Sequence, residues 1–240
     1  MVMIEHWTDS PLNCLFFSFS AGATVEGEDL SLYYGDIKQL TTITKSRKFL
    51  PDDLYGRMVR DCVICCVDCL LVRTTLEGTK ECLLVLRSSE PVKGVWWLPG
   101  GRLLKGESFF AAAKRKALQE TGLSNVKCVQ VLGVWNTFFP TSNWDTKEEK
   151  GTQTVNPIVL VELGDPGADV KLDDTSEEVR IHHDYLSIIP ACNANSCHLD
   201  SVSQWRWIGL DPQKAIENGE DKYVVQALLR LQAWNPSYNK

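Results

Sequence analysis

Apolar and polar positions change rhythm along this chain, and the changes mark its elements. Cys62 to Arg73 (CVICCVDCLLVR) and Glu81 to Arg87 (ECLLVLR) are apolar and β-branched runs, with Leu76 to Lys80 (LEGTK) as a turn between them. They are expected to be strands paired antiparallel. Ahead of them, Pro51 to Arg60 has an acidic start and apolar Leu54, Met58 and Val59, which predict a short helix. Ser108 to Thr121 (SFFAAAKRKALQET) predicts a second, with Glu107 and Ser108 at its start and Gly122 at its end. Further strands are predicted over Val126 to Trp135, Thr154 to Glu162 and Ser203 to Ile208. Asp211 and Pro212 then open a helical ending. In it Tyr223, Val224, Ala227, Leu228 and Leu231 recur at helical spacing, so the last helix should pack on the sheet.

Strands interleaved with helices predict one α/β domain over residues 49–240, a mixed β-sheet sandwiched between helices. Two polar segments, Pro140 to Thr152 and Ile181 to Asp200, are expected to be insertions or long loops. Residues 1–48 show no clean period and are read as an N-terminal extension.

Charge narrows the partners. Acidic residues outnumber basic ones by 31 to 25, a net charge of -6, which opposes any coating of nucleic acid. A small anionic ligand held by a few local cations remains compatible with it. No apolar run reaches the roughly 18 residues of a spanning helix, so no membrane partner is expected. Nine cysteines, an odd number over 240 residues, do not resemble a secreted disulfide framework and point to a reduced, cytoplasmic compartment. The short apolar run Leu15 to Ala23 follows Glu5 and Asp9 with no Lys or Arg before it, unlike a signal peptide. Cys62, Cys65, Cys66 and Cys69 have a spacing that suggests zinc, yet Val63, Ile64, Val67, Leu70 and Leu71 around them favour buried thiols.

The chemistry concentrates in Pro99 to Leu123, PGGRLLKGESFFAAAKRKALQETGL. A Gly-Gly turn leads through a glutamate into a helix that carries Arg115 and Glu120 and ends on a glycine. This resembles the box of the Nudix family: G, five residues, E, seven residues, R-E-U-x-E-E-x-G-U, where U is bulky and apolar. Gly101, Glu107, Arg115, Glu120, Gly122 and Leu123 hold matching positions. The resemblance implies the Nudix fold, hydrolysis of a nucleoside diphosphate joined to another group, and a magnesium or manganese ion on hard oxygen ligands.

The departures from that box sharpen the expectation. Lys116 and Gln119 stand where the family has its first two helix glutamates, and Glu120 alone remains. A site that drives water onto phosphorus needs several carboxylates to gather two or three ions. One cation is enough to stabilise a departing diphosphate if the bond that breaks is on the sugar side. GDP-mannose mannosyl hydrolases, which keep only the last helix glutamate, are the subgroup this chain is most similar to. The similarity extends to Gly94 to Arg102 (GVWWLPGGR), Arg87, Asp68, Gly133 to Trp135, and Trp205 to Trp207.

That resemblance implies a set of roles. Glu120 and the Gly100 carbonyl would hold the metal, with Glu177 as a further candidate ligand. Arg87 and Arg102 would clamp the diphosphate, Arg102 and Glu120 counting as catalytic. Asp68 would contact the sugar or order an arginine. Of Trp96 and Trp97 one should line the cleft, and Trp97 is the candidate for stacking a nucleobase. The subgroup's Gln-His pair falls on Ser201 and Val202, which leaves the general base open among His198, Asp200, His182, Glu177 and Glu178, with His198 the candidate. Subgroup members pair as dimers, so a homodimer is a further expectation.

The expected reaction is hydrolysis of a nucleoside diphosphate sugar to nucleoside diphosphate and free sugar. Two alternatives stay open: an ordinary Nudix diphosphohydrolase, and a nucleotide-binding domain without activity. Arg115 can brace Glu107 instead of touching substrate. Lys116, four residues before Glu120, can pair with that carboxylate in place of the cation.

Overall fold

A computed structural model describes residues 50–144, 150–165, 167–172 and 202–239. The proposed extension and the segment Ile181 to Asp200 lie outside the described residues. The elements in order are helix α1 (Asp52–Asp61), strands β1 (Ile64–Thr74), β2 (Lys80–Arg87), β3 (Trp96–Trp97) and β4 (Gly100–Arg102), and helix α2 (Phe109–Thr121). Strands β5 (Val126–Phe139), β6 (Thr152–Leu163) and β7 (Val202–Gly209) follow, then helices α3 (Pro212–Glu217) and α4 (Lys222–Trp234) and a final 3-10 turn (Pro236–Asn239). The expected α/β architecture with a mixed sheet is the one found.

All seven strands join one sheet, in which β1 and β6 run parallel and the other pairs are antiparallel. Strands β1 and β2 pair only where Val72–Thr74 meets Lys80–Cys82. Beyond that they part. Strand β4 then pairs with β1 at Cys66–Asp68, and β3 pairs with β2 at Val85 and Leu86. The Pro99-Gly100 turn is thereby wedged into the gap, with the Pro99 carbonyl accepting from Cys69 N–H at 2.7 Å.

The core has two layers because strand residues alternate faces. On one face Leu70, Val72, Leu84, Ile158 and Leu160 pack against Val224, Ala227, Leu228 and Leu231 of α4. On the other, Val67, Cys69, Leu71, Leu83, Val159 and Val161 pack against Phe110, Ala112, Ala113 and Ala117 of α2. Central β1 and β6, covered on both sides, read as continuous apolar runs for that reason. Cys69 and Cys82 are buried among these residues and Cys66 in a separate cluster with Val59 and Ile64, whereas Cys62 and Cys65 are exposed.

Several boundaries differ from the sequence expectation. The β5–β6 hairpin extends to the pair Phe139–Thr152, so strand pairing continues past Trp135. The polar segment beyond it folds back at Ser142 to Trp144, and the Trp144 ring meets Tyr55 of α1 edge-on at 5.0 Å. The ending is two helices, each capped by an aspartate: Asp211 accepts from Gln213 N–H and Asp221 from Tyr223 N–H. Strands β3 and β4 are too short for any periodicity to announce them.

Candidate functional site

Helix α2 is fixed at both ends by its own sequence. Ser108 Oγ accepts from Ala111 N–H at its start, and Gly122 closes it in the left-handed region at φ 70°. Those limits decide which side chains its inner face presents to the sheet, and Lys116 and Glu120 are both buried there. Their polar ends meet: Lys116 Nζ lies 3.0 Å from Glu120 Oε1. The other oxygen, Oε2, accepts from Gly100 N–H at 2.9 Å. A side chain at Gly100 is impossible without movement, since a Cβ there would lie 2.0 Å from Asp68 Oδ1 and 2.5 Å from the Val67 carbonyl oxygen. Glycine is what lets the loop backbone approach both carboxyl groups.

Arg115 braces the loop to the helix. Its Nε and Nη2 donate to the two oxygens of Glu107 at 2.6 and 2.8 Å, a bidentate pair in which the Glu107 side chain is 4% exposed. Nη2 also reaches the Arg102 carbonyl and Nη1 reaches Gln119 Oε1, both at 2.9 Å. Leu104 N–H completes the Glu107 carboxylate. Gln119 is thus one of the acceptors of the Arg115 brace.

Asp68 is buried beside Gly100. Its Oδ2 accepts from Tyr223 Oη at 2.5 Å and from Asn156 Nδ2 at 2.8 Å, and Asn156 is in turn bonded to Thr154 Oγ1. Desolvation pushes its pKa up from 3.8 to about 6, with the nearby Glu120 charge adding to the rise. The bonds from Tyr223 and Asn156 and the Arg87 guanidinium hold it from rising further. The Tyr223 hydroxyl is pushed far above its ordinary value by burial and by Asp68, so it stays a donor.

These positions bear on three expected roles. Asp68 is too deeply buried to touch a sugar, although Arg87 lies near enough to act on its charge. Trp97, expected to stack a nucleobase, is buried with its ring stacked on Tyr223 at 4.3 Å. The half-buried tryptophan is Trp96, with the Arg206 guanidinium 4.3 Å from its ring centre. Arg102, expected on the diphosphate, places its guanidinium 3.6 Å over the Tyr55 ring and so ties β4 to α1. Arg87 is half-buried, with Nε donating to the Pro91 carbonyl at 2.8 Å. His198 and Glu177 lie outside the described residues. The sequence reading missed Asn156 as a site neighbour and took Tyr223 for core alone; an Asn inside the apolar run VNPIV was the available signal.

The described donor set does not fit the expected magnesium or manganese ion. Such ions take near-octahedral oxygen ligands. Here the Glu120 oxygens already face an ammonium and an N–H group, and Gln119 accepts from Arg115. Among the described residues no three His, Cys, Asp or Glu side chains are placed to hold a metal ion.

Comparison with known proteins gives three findings. The NUDIX domain family profile matches residues 67–225. A curated relative, the low-salt glycan biosynthesis protein Agl8 of Haloferax volcanii, is 30% identical over 139 residues, covering 58% of this chain and 78% of the relative. Solved structures are more distant. An Ap4A hydrolase binary complex of C. elegans is 18% identical with a TM-score of 0.48, over 73% of this chain and 99% of that one. The NUDIX domain of Shewanella oneidensis NrtR, complexed with ADP ribose, is 16% identical with a TM-score of 0.46, over 72% and 88%.

Proposed function

The chain belongs to the Nudix family of hydrolases, and we propose that it hydrolyses a nucleoside diphosphate sugar, GDP-mannose or one like it, by attack of water at the anomeric carbon. The products are then a nucleoside diphosphate and the free sugar. The observation that carries this reading is the composition of the buried face of α2, where Glu120 is paired with Lys116 and Gln119 is bound to Arg115. Displacement at phosphorus calls for several carboxylates that gather ions around the reacting group. Displacement at the sugar carbon needs the charge of the departing diphosphate to be met, which fixed cations can do. Arg87, at the end of the strand beside the Pro99-Gly100 wedge, is the guanidinium proposed for that work. The name of the Agl8 relative sets that protein in glycan biosynthesis, which supports a sugar-linked ligand.

Nudix hydrolases generally use divalent metal ions, but the described residues of this chain supply no step through one. The attacking water must lose a proton, and His198 remains the candidate base. The test is hydrolysis of GDP-mannose in water enriched in oxygen-18. Label is expected in the free mannose, and label in a phosphate would overturn the reading.

A further inference from the structure

We propose that Lys116 is a resident cation: its ammonium fills the position a divalent ion would take on Glu120, so the site meets its anionic ligand with fixed protein charges and takes no metal. This rests on the proposed function for the identity of the ligand, but not for the nature of the cation.

The argument starts from the geometry of one helix. Residues four apart lie on the same face, so Lys116 delivers its Nζ to the Glu120 carboxylate without leaving α2. The pair spans 3.0 Å, and the two side chains are 8% and 7% exposed. A buried carboxylate without a counter-charge is costly, and here the chain supplies that charge itself. The opposite oxygen is engaged by Gly100 N–H, so both Glu120 oxygens face positive groups. A divalent ion would have to displace the ammonium into its own repulsive field and would gain a single carboxylate. Among the described residues nearby, Gln119 Oε1 accepts from Arg115, and Asp68 Oδ2 accepts from Tyr223 and Asn156. Lys116 is therefore a positioning residue that fixes Glu120 and the Gly100 backbone.

Manganese binding to the ligand-free full chain, followed by electron paramagnetic resonance, tests this without any turnover, so its outcome is independent of the reaction proposed above. The wild type is expected to leave Mn2+ free up to millimolar concentration. Lys116→Glu puts two carboxylates four residues apart beside the Gly100 carbonyl and is expected to gain one Mn2+ per chain. Since Lys116→Glu can lose its fold, Lys116→Gln provides a second reading: Mn2+ is expected to raise its Tm and leave that of the wild type unchanged. One Mn2+ bound by the wild type and lost in Glu120→Gln or Glu177→Gln overturns the proposal. So does a folded Lys116→Glu that binds none, or an equal Tm shift in wild type and Lys116→Gln.

Discussion

Two buried carboxyl groups approach Gly100, and the protein treats them differently. Glu120, on α2, is given an ammonium and a backbone N–H. Asp68, on β1, is given a phenol and an amide, both neutral donors, and its pKa climbs to about 6. Burial is similar, at 6% and 3% exposure, so the chemistry of the partner makes the difference. Glu120 receives a full counter-charge within its own helix. Asp68, buried among neutral donors, with a guanidinium acting on it without a direct ion pair, becomes titratable near neutral pH. The wedge between β1 and β2 brings both to the same glycine, and the comparison can be broken from either side.

The largest effect should come from the charged side. Lys116→Met leaves Glu120 buried without its partner, and loss of one member of such a pair costs about 3–5 kcal/mol. Urea unfolding at neutral pH measures it. Replacing both members together, as Lys116→Met with Glu120→Leu, should recover most of that loss, because an apolar pair of similar size is often as stable as a buried ion pair. A double variant no more stable than the single one would show that Glu120 matters through Gly100 N–H instead.

On the uncharged side the expected signature is a pH dependence. The folded-state pKa of Asp68 lies above its ordinary 3.8, so the folded chain holds a proton that the unfolded chain has already released. That contribution is complete below pH 3.8 and is lost as the pH rises through about 6. At roughly 1.4 kcal/mol per pH unit the loss is about 3 kcal/mol. Measured against Asp68→Asn, which cannot titrate, wild-type stability should fall by most of that amount between pH 4 and pH 7. A flat difference would mean that water or Arg87 compensates the charge fully.

Arg115→Ala is expected to have a smaller effect, about 2 kcal/mol, since it removes charge-assisted bonds to a Glu107 side chain that is itself buried. Thermal unfolding followed by circular dichroism reads it. Because the brace is local to the Arg102 to Gln119 segment, Lys at this position should restore little of the loss: one ammonium cannot reach Glu107, Gln119 and the Arg102 carbonyl at once. Full recovery by Lys would assign Arg115 to charge alone.

What was legible in the sequence follows from which interactions are local. Helix α2 was readable to within one residue because its cap, its glycine stop and its apolar face lie in one stretch. The ion pair of Lys116 with Glu120 was readable as a possibility from helical spacing alone. The Asp68 network was not, because Asn156 and Tyr223 lie 88 and 155 residues away in sequence and arrive through β6 and α4. Arg102 and Trp97 have neighbours the sequence did not announce, for a related reason. Motif position puts both beside the wedge, but the partners that absorb them, Tyr55 and Tyr223, come from helices that no local pattern ties to the loop. Strands β3 and β4 escaped because two or three residues have no period.

The smallest expected effect is also the one that probes the comparison most finely. Tyr223→Phe keeps the ring stacked on Trp97 and removes only the hydroxyl that donates to Asp68. The bond matters more when Asp68 is ionised, because hydrogen bonds to a charged acceptor are the stronger kind. At pH 5, with Asp68 largely protonated, the cost should be about 1 kcal/mol; at pH 8 it should approach about 2 kcal/mol. The direction follows from the same linkage: the Tyr223 bond lowers the Asp68 pKa, so its removal raises that pKa and widens the range over which stability is lost with rising pH. Paired urea curves of Tyr223→Phe and wild type at the two pH values give the difference directly. A cost equal at both would mean that the hydroxyl acts through packing, and that Asn156 and Arg87 alone govern the charge on Asp68.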